Sequence, residues 1–352
     1  MIEVIERVNQ QKITSEQNVV VGASMGGIVS RYALAKMENA GKSHCTGAFF
    51  TLDTPHNGAN IPLALQALGW FYHATGTTDE LWDALNTPAA RQQLITTLGA
   101  ELQAGRVALH NATLPYITQL DLGELTNPAT VNLRSGLQSQ LSALGWPKLP
   151  RKLALLDGMI DGTALSNQGF GPGDKYYDAS IYANGGDLGT VFKIAMRSAN
   201  SSSTEDYTIN GLDDCQKYSM TFGVSNTLFT IAQPHDFNPC NILVWGSDKV
   251  PYKYHAVHLQ STGDLPALDN APGGLRTDLR TLHARLKSEA TGNVTFNNPV
   301  RLPLLSFVPT WSALAMGTPL DNTNLFVNLD AQEFKEFNLP KERLKNKFTI
   351  LV

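Results

Sequence analysis

The spacing of apolar and polar positions changes several times along the chain, and each change marks an element. Ile5, Val8 and Ile13 recur near helical spacing, which predicts an amphipathic helix from Ile2 to about Ile13. Asn18-Val19-Val20-Val21 is a short β-branched run, the pattern of a strand buried on both faces of a parallel sheet. A helical pattern follows, with Ile28, Tyr32 and Ala35 on one stripe, Val29, Ala33 and Met37 on its neighbour, and Gly41 as the stop. Gly47-Ala48-Phe49-Phe50-Thr51-Leu52 is a second apolar strand, closed by the turn-rich Asp53-Thr54-Pro55-His56-Asn57-Gly58. Strand, helix and strand in this order predict a βαβ unit.

From Ile61 to about Gly145 the period is helical throughout. Thr87-Pro88 supplies a capping hydroxyl and a proline for the first helical position, and Leu133, Leu137, Leu141 and Leu144 form an apolar stripe. Lys152 to Leu156 resumes the strand pattern and runs into Asp157-Gly158-Met159-Ile160-Asp161-Gly162. Beyond it the period becomes two: Phe192, Ile194 and Met196 alternate with polar neighbours, as do the stretches near Tyr207, from Tyr218 to Phe222 and from Tyr252 to Val257. Leu275, Leu279, Leu282 and Leu286 predict a helix after Pro272-Gly273-Gly274. The expected organisation is a core over 1–60, a helical cap over 61–150, a core strand and turn over 151–174, a β-rich antiparallel insertion over 175–262, and a C-terminal part of the core over 263–352.

Composition narrows the function classes. Of 352 residues, 42% are hydrophobic and 16% charged, a globular balance. The net charge of -4 gives no electrostatic reason to expect nucleic acid or an anionic membrane surface as partner. No apolar run approaches the roughly 20 residues that span a bilayer. Met1 to Arg7 reads as an acidic amphipathic helix, not a signal peptide. Three cysteines make no disulfide framework; Cys215 and Cys240 are a candidate pair, with Cys45 left over.

The chemistry concentrates at Gly22-Ala23-Ser24-Met25-Gly26-Gly27. A strand directly before it and a helix directly after it give G-x-S-x-G the context of a nucleophile elbow. A serine on such a turn must stand clear of the sheet edge while strand and helix pass closely. Gly22 and Gly26 are expected to permit this, with Gly27 adding room. The helix N-terminus then faces developing negative charge, and the amide N–H of Met25 is the expected oxyanion donor. Three glycines round a serine also suit a plain buried strand-to-helix turn.

Val19 to Gly27 with Arg31-Tyr32-Ala33-Leu34 resembles the elbow of microbial lipases, which carry G-H-S-x-G-G and a following R-Y. Phe50 to Ala59 is similar to their next strand and its T-P-H-x-G turn. Gly169 to Asp174, Pro272-Gly273-Gly274 and Phe307 to Leu314 resemble segments of large bacterial lipase-like proteins, often secreted. Ala23 departs from the lipase histidine at a position that is not catalytic. The resemblance implies an α/β-hydrolase fold, a Ser-acid-His triad in that chain order, and no cofactor. Asp53 ends the strand after the elbow, as in animal-type lipases with an L-D-P sequence, and ranks first as the acid. Asp161 and Asp157, at the end of the later strand, are the alternatives.

The base is unassigned. His56 has a structural role in the resembling turn. His44 and His110 read as surface or cap residues and His73 as a cap residue. His235 falls in a turn, His255 and His258 on opposite faces of a strand, and His283 in mid-helix. Both ends of the chain read as truncated, since such a fold normally has strands before the elbow and a histidine after a final strand. A secreted or periplasmic location follows if an N-terminal part is missing. No metal-ligand spacing, P-loop or dinucleotide fingerprint is present. The expected function is hydrolysis of a small-molecule or lipid carboxylic ester through an acyl-enzyme on Ser24. The alternative is a catalytically incomplete binding or structural module on the same scaffold. Leu65, Leu68, Trp70, Phe71 and Tyr72 suit either an apolar acyl group or plain cap packing.

Overall fold

Parallel strands with helical crossovers need apolar runs of four to eight residues joined by amphipathic helices, and the first 52 residues supply them. The computed structural model describes residues 1–110, 117–118, 120–127, 131, 133–156, 173–183, 190–197, 204–213, 216–225, 227–236, 253–261, 284, 294–296, 307–315 and 349–350. Helix α1 (Ile2–Gln11), strand β1 (Asn18–Ala23), helix α2 (Met25–Asn39) and strand β2 (Thr46–Leu52) follow one another as the hydrophobic pattern predicts. Strand β5 (Arg151–Leu155) and the short β13 (Thr349–Ile350) complete a parallel sheet of order β1-β2-β5-β13. Ile5, Val20, Leu34, Met37 and Phe49 form the core between this sheet and helices α1 and α2.

Two stripes are corrected by this packing. Val8 and Ile13 are exposed, because α1 presses only Ile5 into the core and ends at Gln11. On α2, Val29 is exposed while Leu34 is fully buried. β1 itself is not covered on both faces: it is the edge of the described sheet, and Val19 and Val21 are 62% and 57% exposed.

The cap and the β-rich insertion are not separate layers. Helices α3 (Leu63–Ala74), α4 (Glu80–Asn86), α5 (Pro88–Gln93) and α6 (Leu98–Gln103) precede strands β3 (Val107–His110) and β4 (Ile117–Thr118), and α7 (Leu133–Leu144) closes the block. Thr87 caps α5 by accepting from the Ala90 N–H at 3.2 Å, with Pro88 at the first helical position, as its sequence predicts. The antiparallel insertion comprises β6 (Lys175–Ala183), β7 (Thr190–Arg197), β8 (Thr204–Asp213), β9 (Gln216–Ser225), β10 (Thr227–Asp236) and β11 (Lys253–Ser261). With β12 (Val294–Phe296) it orders as β12-β6-β7-β10-β11-β3, β4 adding to β11, and β8-β9 forms a separate hairpin. Strands β3 and β4, in a stretch that reads as helical throughout, are a correction to the cap.

One core joins the two. Leu63, Leu68, Trp70 and Phe71 of α3 pack with Tyr177, Ile194, Met196, Phe229, Ile231 and Leu259 of the sheet. Every residue from Leu63 to Tyr72 is buried, the signature of a helix covered all round. The apolar side chains Leu65, Leu68, Trp70, Phe71 and Tyr72 are therefore consumed by packing between helix and sheet, which decides their role in favour of cap packing. Among the described residues no helix is long and apolar enough to cross a membrane.

The cap also carries a titratable clamp. His73, in the last turn of α3, pairs through Nδ1 with Asp79 (2.7 Å) and through Nε2 with Glu124 (2.8 Å), and its ring stacks on Trp82 at 4.8 Å. The Asp79 hydrogen bond, with Glu124 adding to it, raises the imidazole above its ordinary value of 6.5. A pKa raised by folding gives stability that is fully present below the unfolded value and lost as pH rises through the folded one. The melting temperature is thus expected to fall as pH rises above about 6.5, and His73→Gln is expected to remove this component. A pH profile identical in the two proteins would refute the clamp.

Candidate active site

Ser24 stands between the last residue of β1 and the first of α2, with φ 47° and ψ -125°, outside the regions open to an unstrained L-residue. Such a conformation costs of order 1–3 kcal/mol and persists only where its surroundings over-determine it. Here the Ser24 N–H donates to the Leu52 carbonyl on β2 at 2.8 Å, and the Gly27 N–H donates to the Ser24 carbonyl at 3.0 Å. The side chain itself is exposed and makes no hydrogen bond among the described residues. As the first residue of α2, Met25 has an amide with no intrahelical acceptor, beside the serine.

The glycines divide the steric work differently from the sequence expectation. A Cβ on Gly22 would lie 2.5 Å from the Cα of Gly27 and 2.6 Å from the Gly26 carbonyl oxygen, so β1 and α2 touch backbone to backbone there. A Cβ on Gly27 would overlap the Thr54 hydroxyl and come 2.6 Å from its methyl. A Cβ on Gly26 meets nothing within 4 Å. The requirement for small residues therefore falls on Gly22 and Gly27, and Gly26 is corrected to a position with space to spare. Thr54, in sequence only one residue of the turn, closes the elbow by donating to the Gly22 carbonyl at 3.4 Å.

Asp53 ends β2 as Ser24 ends β1. The register sets Ala23 against Leu52, so the two candidates follow neighbouring positions at the carboxyl edge of adjacent parallel strands. Asp53 also has a positive φ of 46°, its N–H donates to the Leu155 carbonyl of β5 at 2.7 Å, and its carboxylate is half-buried. Asp157 and Asp161 lie outside the described residues.

The turn after Asp53 is anchored from far along the chain. Helix α8 (Thr310–Ala313) brings in Ser312, fully buried, whose Oγ donates to the Gly58 carbonyl (2.6 Å) and accepts from the Asn57 N–H (3.0 Å). The signal for this lay in the Phe307 to Leu314 segment, but nothing in its spacing disclosed a partner some 250 residues away. His56 is buried against Trp146, edge to face at 4.8 Å, and Trp146 in turn lies under the Arg31 guanidinium at 3.8 Å. Burial, with the Arg31 charge adding to it, holds His56 well below its ordinary pKa, so it stays neutral, in keeping with a structural role.

No histidine among the described residues is hydrogen-bonded to Ser24. His44 is 1% exposed, not at the surface: it pairs with Glu38 at 3.0 Å and accepts from the Thr46 N–H, before β2 and so at the sheet edge opposite Ser24. The polar partner explains why it is buried. His235 lies in β10, not in a turn, and His255 and His258 in β11, where His258 bonds Thr230 at 3.0 Å. His110 ends β3 and pairs in register with His258. His283, Cys215 and Cys240 lie outside the described residues, as does the helix expected over 275–286 apart from Ala284; Cys45 is a free thiol. Comparisons with family models, with curated proteins and with solved structures give no match to this chain. Geometry alone therefore carries the assignment. Among the described residues no group of three or more His, Cys, Asp or Glu side chains is placed to hold a metal ion.

Proposed function

We propose that this chain is a serine-dependent carboxylic ester hydrolase of α/β-hydrolase type, acting through an acyl-enzyme on Ser24. The observation that carries the reading is the strained, exposed Ser24 at the carboxyl edge of a parallel strand, seated on the N-terminus of α2. Strain at a non-glycine residue is retained where function needs the geometry. The Ser24 hydroxyl attacks the ester carbonyl, a histidine takes its proton, and the Met25 N–H stabilises the oxyanion together with the positive end of α2. Asp53 is the first choice for the carboxylate that orients the histidine, and Asp161 the alternative. The acyl-enzyme is then released by water.

The absence of a histidine bonded to Ser24 among the described residues favours a second reading, a binding module on the same scaffold. One experiment separates the two. In the full-length protein a fluorophosphonate probe is expected to label Ser24, and Ser24→Ala is expected to lose that labelling, as removal of a triad nucleophile costs on the order of 10⁶ in rate. Equal labelling of the alanine variant would overturn the nucleophile. A wild-type protein that binds esters but never reacts with the probe would establish the binding module.

A further inference from the structure

Ser24 and Asp53 each follow the end of a parallel strand, and each has a left-handed backbone, with φ of 47° and 46°. Two neighbouring residues in that region persist only where other contacts over-determine them. Main-chain bonds hold each one singly, Ser24 to Leu52 and Asp53 to Leu155. One side chain touches the surroundings of both. Thr54 follows Asp53 in the chain and is 1% exposed. Its hydroxyl donates to the Gly22 carbonyl on β1 at 3.4 Å and to the Leu52 carbonyl on β2 at 3.5 Å. Both distances are long, as expected of one proton shared between two acceptors. The Leu52 carbonyl is the same one that accepts from the Ser24 N–H. The Thr54 hydroxyl and methyl also fill the space where a side chain on Gly27 would stand, in the first turn of α2. A β-branched side chain has few rotamers, so a threonine wedged there is a stiff spacer.

We propose that Thr54 is a positioning residue for acyl transfer at Ser24, its shared hydroxyl proton fixing the strand end that carries Asp53 against the elbow that carries Ser24. This rests on the serine hydrolase reading above. Thr54 itself does not react: it holds two strand ends at the spacing the reaction needs, and a small misplacement of reacting groups is costly in rate.

The test is the kinetics of fluorophosphonate labelling of the full-length protein, in which the Ser24 oxygen bonds phosphorus, fluoride leaves and a base takes the hydroxyl proton. Maximal rate and half-saturating probe concentration are measured separately, alongside the melting temperature. Thr54→Val keeps the branched shape without the hydroxyl. It is expected to lower the maximal rate about tenfold, the size of one net hydrogen bond, at an unchanged half-saturating concentration. Thr54→Ser keeps the hydroxyl and is expected to stay within about twofold of wild type. Should Thr54→Val fail to fold, Thr54→Ala, which leaves Gly27 uncrowded, replaces it with the same expected loss against Thr54→Ser. A melting temperature that falls while the maximal rate holds would overturn the proposal, reducing Thr54 to packing. So would equal slowing of the serine variant and the variant lacking the hydroxyl, or a change confined to the half-saturating concentration. A wild-type protein that never reacts at Ser24 would overturn the hydrolase reading and this role with it, an outcome distinct from a reactive wild type matched by Thr54→Val.

Discussion

Gly22→Ala and Gly27→Ala are each expected to lower the unfolding free energy by about 3 kcal/mol or more, while Gly26→Ala leaves it unchanged or raises it slightly. The three glycines lie within six residues, so composition and exposure to denaturant cannot separate them. Contact geometry does. The methyl group on residue 22 would sit 2.5 Å from the Cα and amide nitrogen of Gly27, and backbone atoms cannot rotate aside. Relief requires α2 to lift from β1, which pulls the Ser24 N–H from the Leu52 carbonyl. At residue 27 the obstacle is Thr54, whose own escape is blocked because it is buried and its hydroxyl donates to the Gly22 carbonyl. At residue 26 nothing lies within 4 Å, and the position is helical, where alanine is preferred over glycine by about 1 kcal/mol. Urea denaturation of the three variants checks the order. Equal midpoints would show that the elbow is not held by this close approach.

The elbow was legible because its determinants are local. Strand, serine, glycines and helix fall within twenty residues, and each local preference agrees with the others. The Thr87-Pro88 helix start was legible for the same reason. What the sequence concealed depends on partners far along the chain. β3 owes its extended form to pairing with β11, about 150 residues later, not to its own four residues. β10 contains Pro234, which reads as a breaker; it is tolerated where the register with β11 shifts, between Pro234 and Asp236. His44 reads as a surface residue until Glu38, one helix earlier, supplies the partner that allows burial. Gly26 shows the limit of a motif: G-x-S-x-G names two glycines, but the contact that matters is between Gly22 and Gly27. Of the site, Ser24 and Asp53 were readable from strand ends, whereas Ser312 and Trp146 became visible only through contacts.

The second large effect is expected at Arg31, where alanine should cost about 3–5 kcal/mol and methionine markedly less. Arg31 is 5% exposed, and burial lowers its pKa to about 10. Between pH 5 and pH 9 it is nevertheless charged in both folded and unfolded chains, so the desolvation cost is constant there and must be offset by contacts. Three contacts do so. Nε–H and Nη2–H donate to the Gly145 and Leu141 carbonyls at 3.4 Å each, at the C-terminal end of α7, where the helix dipole favours a cation. The guanidinium also covers the Trp146 ring at 3.8 Å, a cation–π contact that is worth about 2 kcal/mol when desolvated. Alanine removes all three, opens a cavity under Trp146 and loosens the surface against which His56 packs. Methionine keeps most of the volume and removes the desolvation cost, but leaves the two carbonyls without this donor, at about 1–3 kcal/mol. Lysine retains the charge but offers a point donor in place of a planar fork, and should fall between the two. The order alanine, lysine, methionine in increasing stability is therefore the signature of a buried cation held by packing as much as by charge. If lysine matched arginine, charge alone would suffice, and the contacts of Trp146 with the Arg31 guanidinium and the edge-to-face His56 ring would not be what ties α7 to the turn after Asp53.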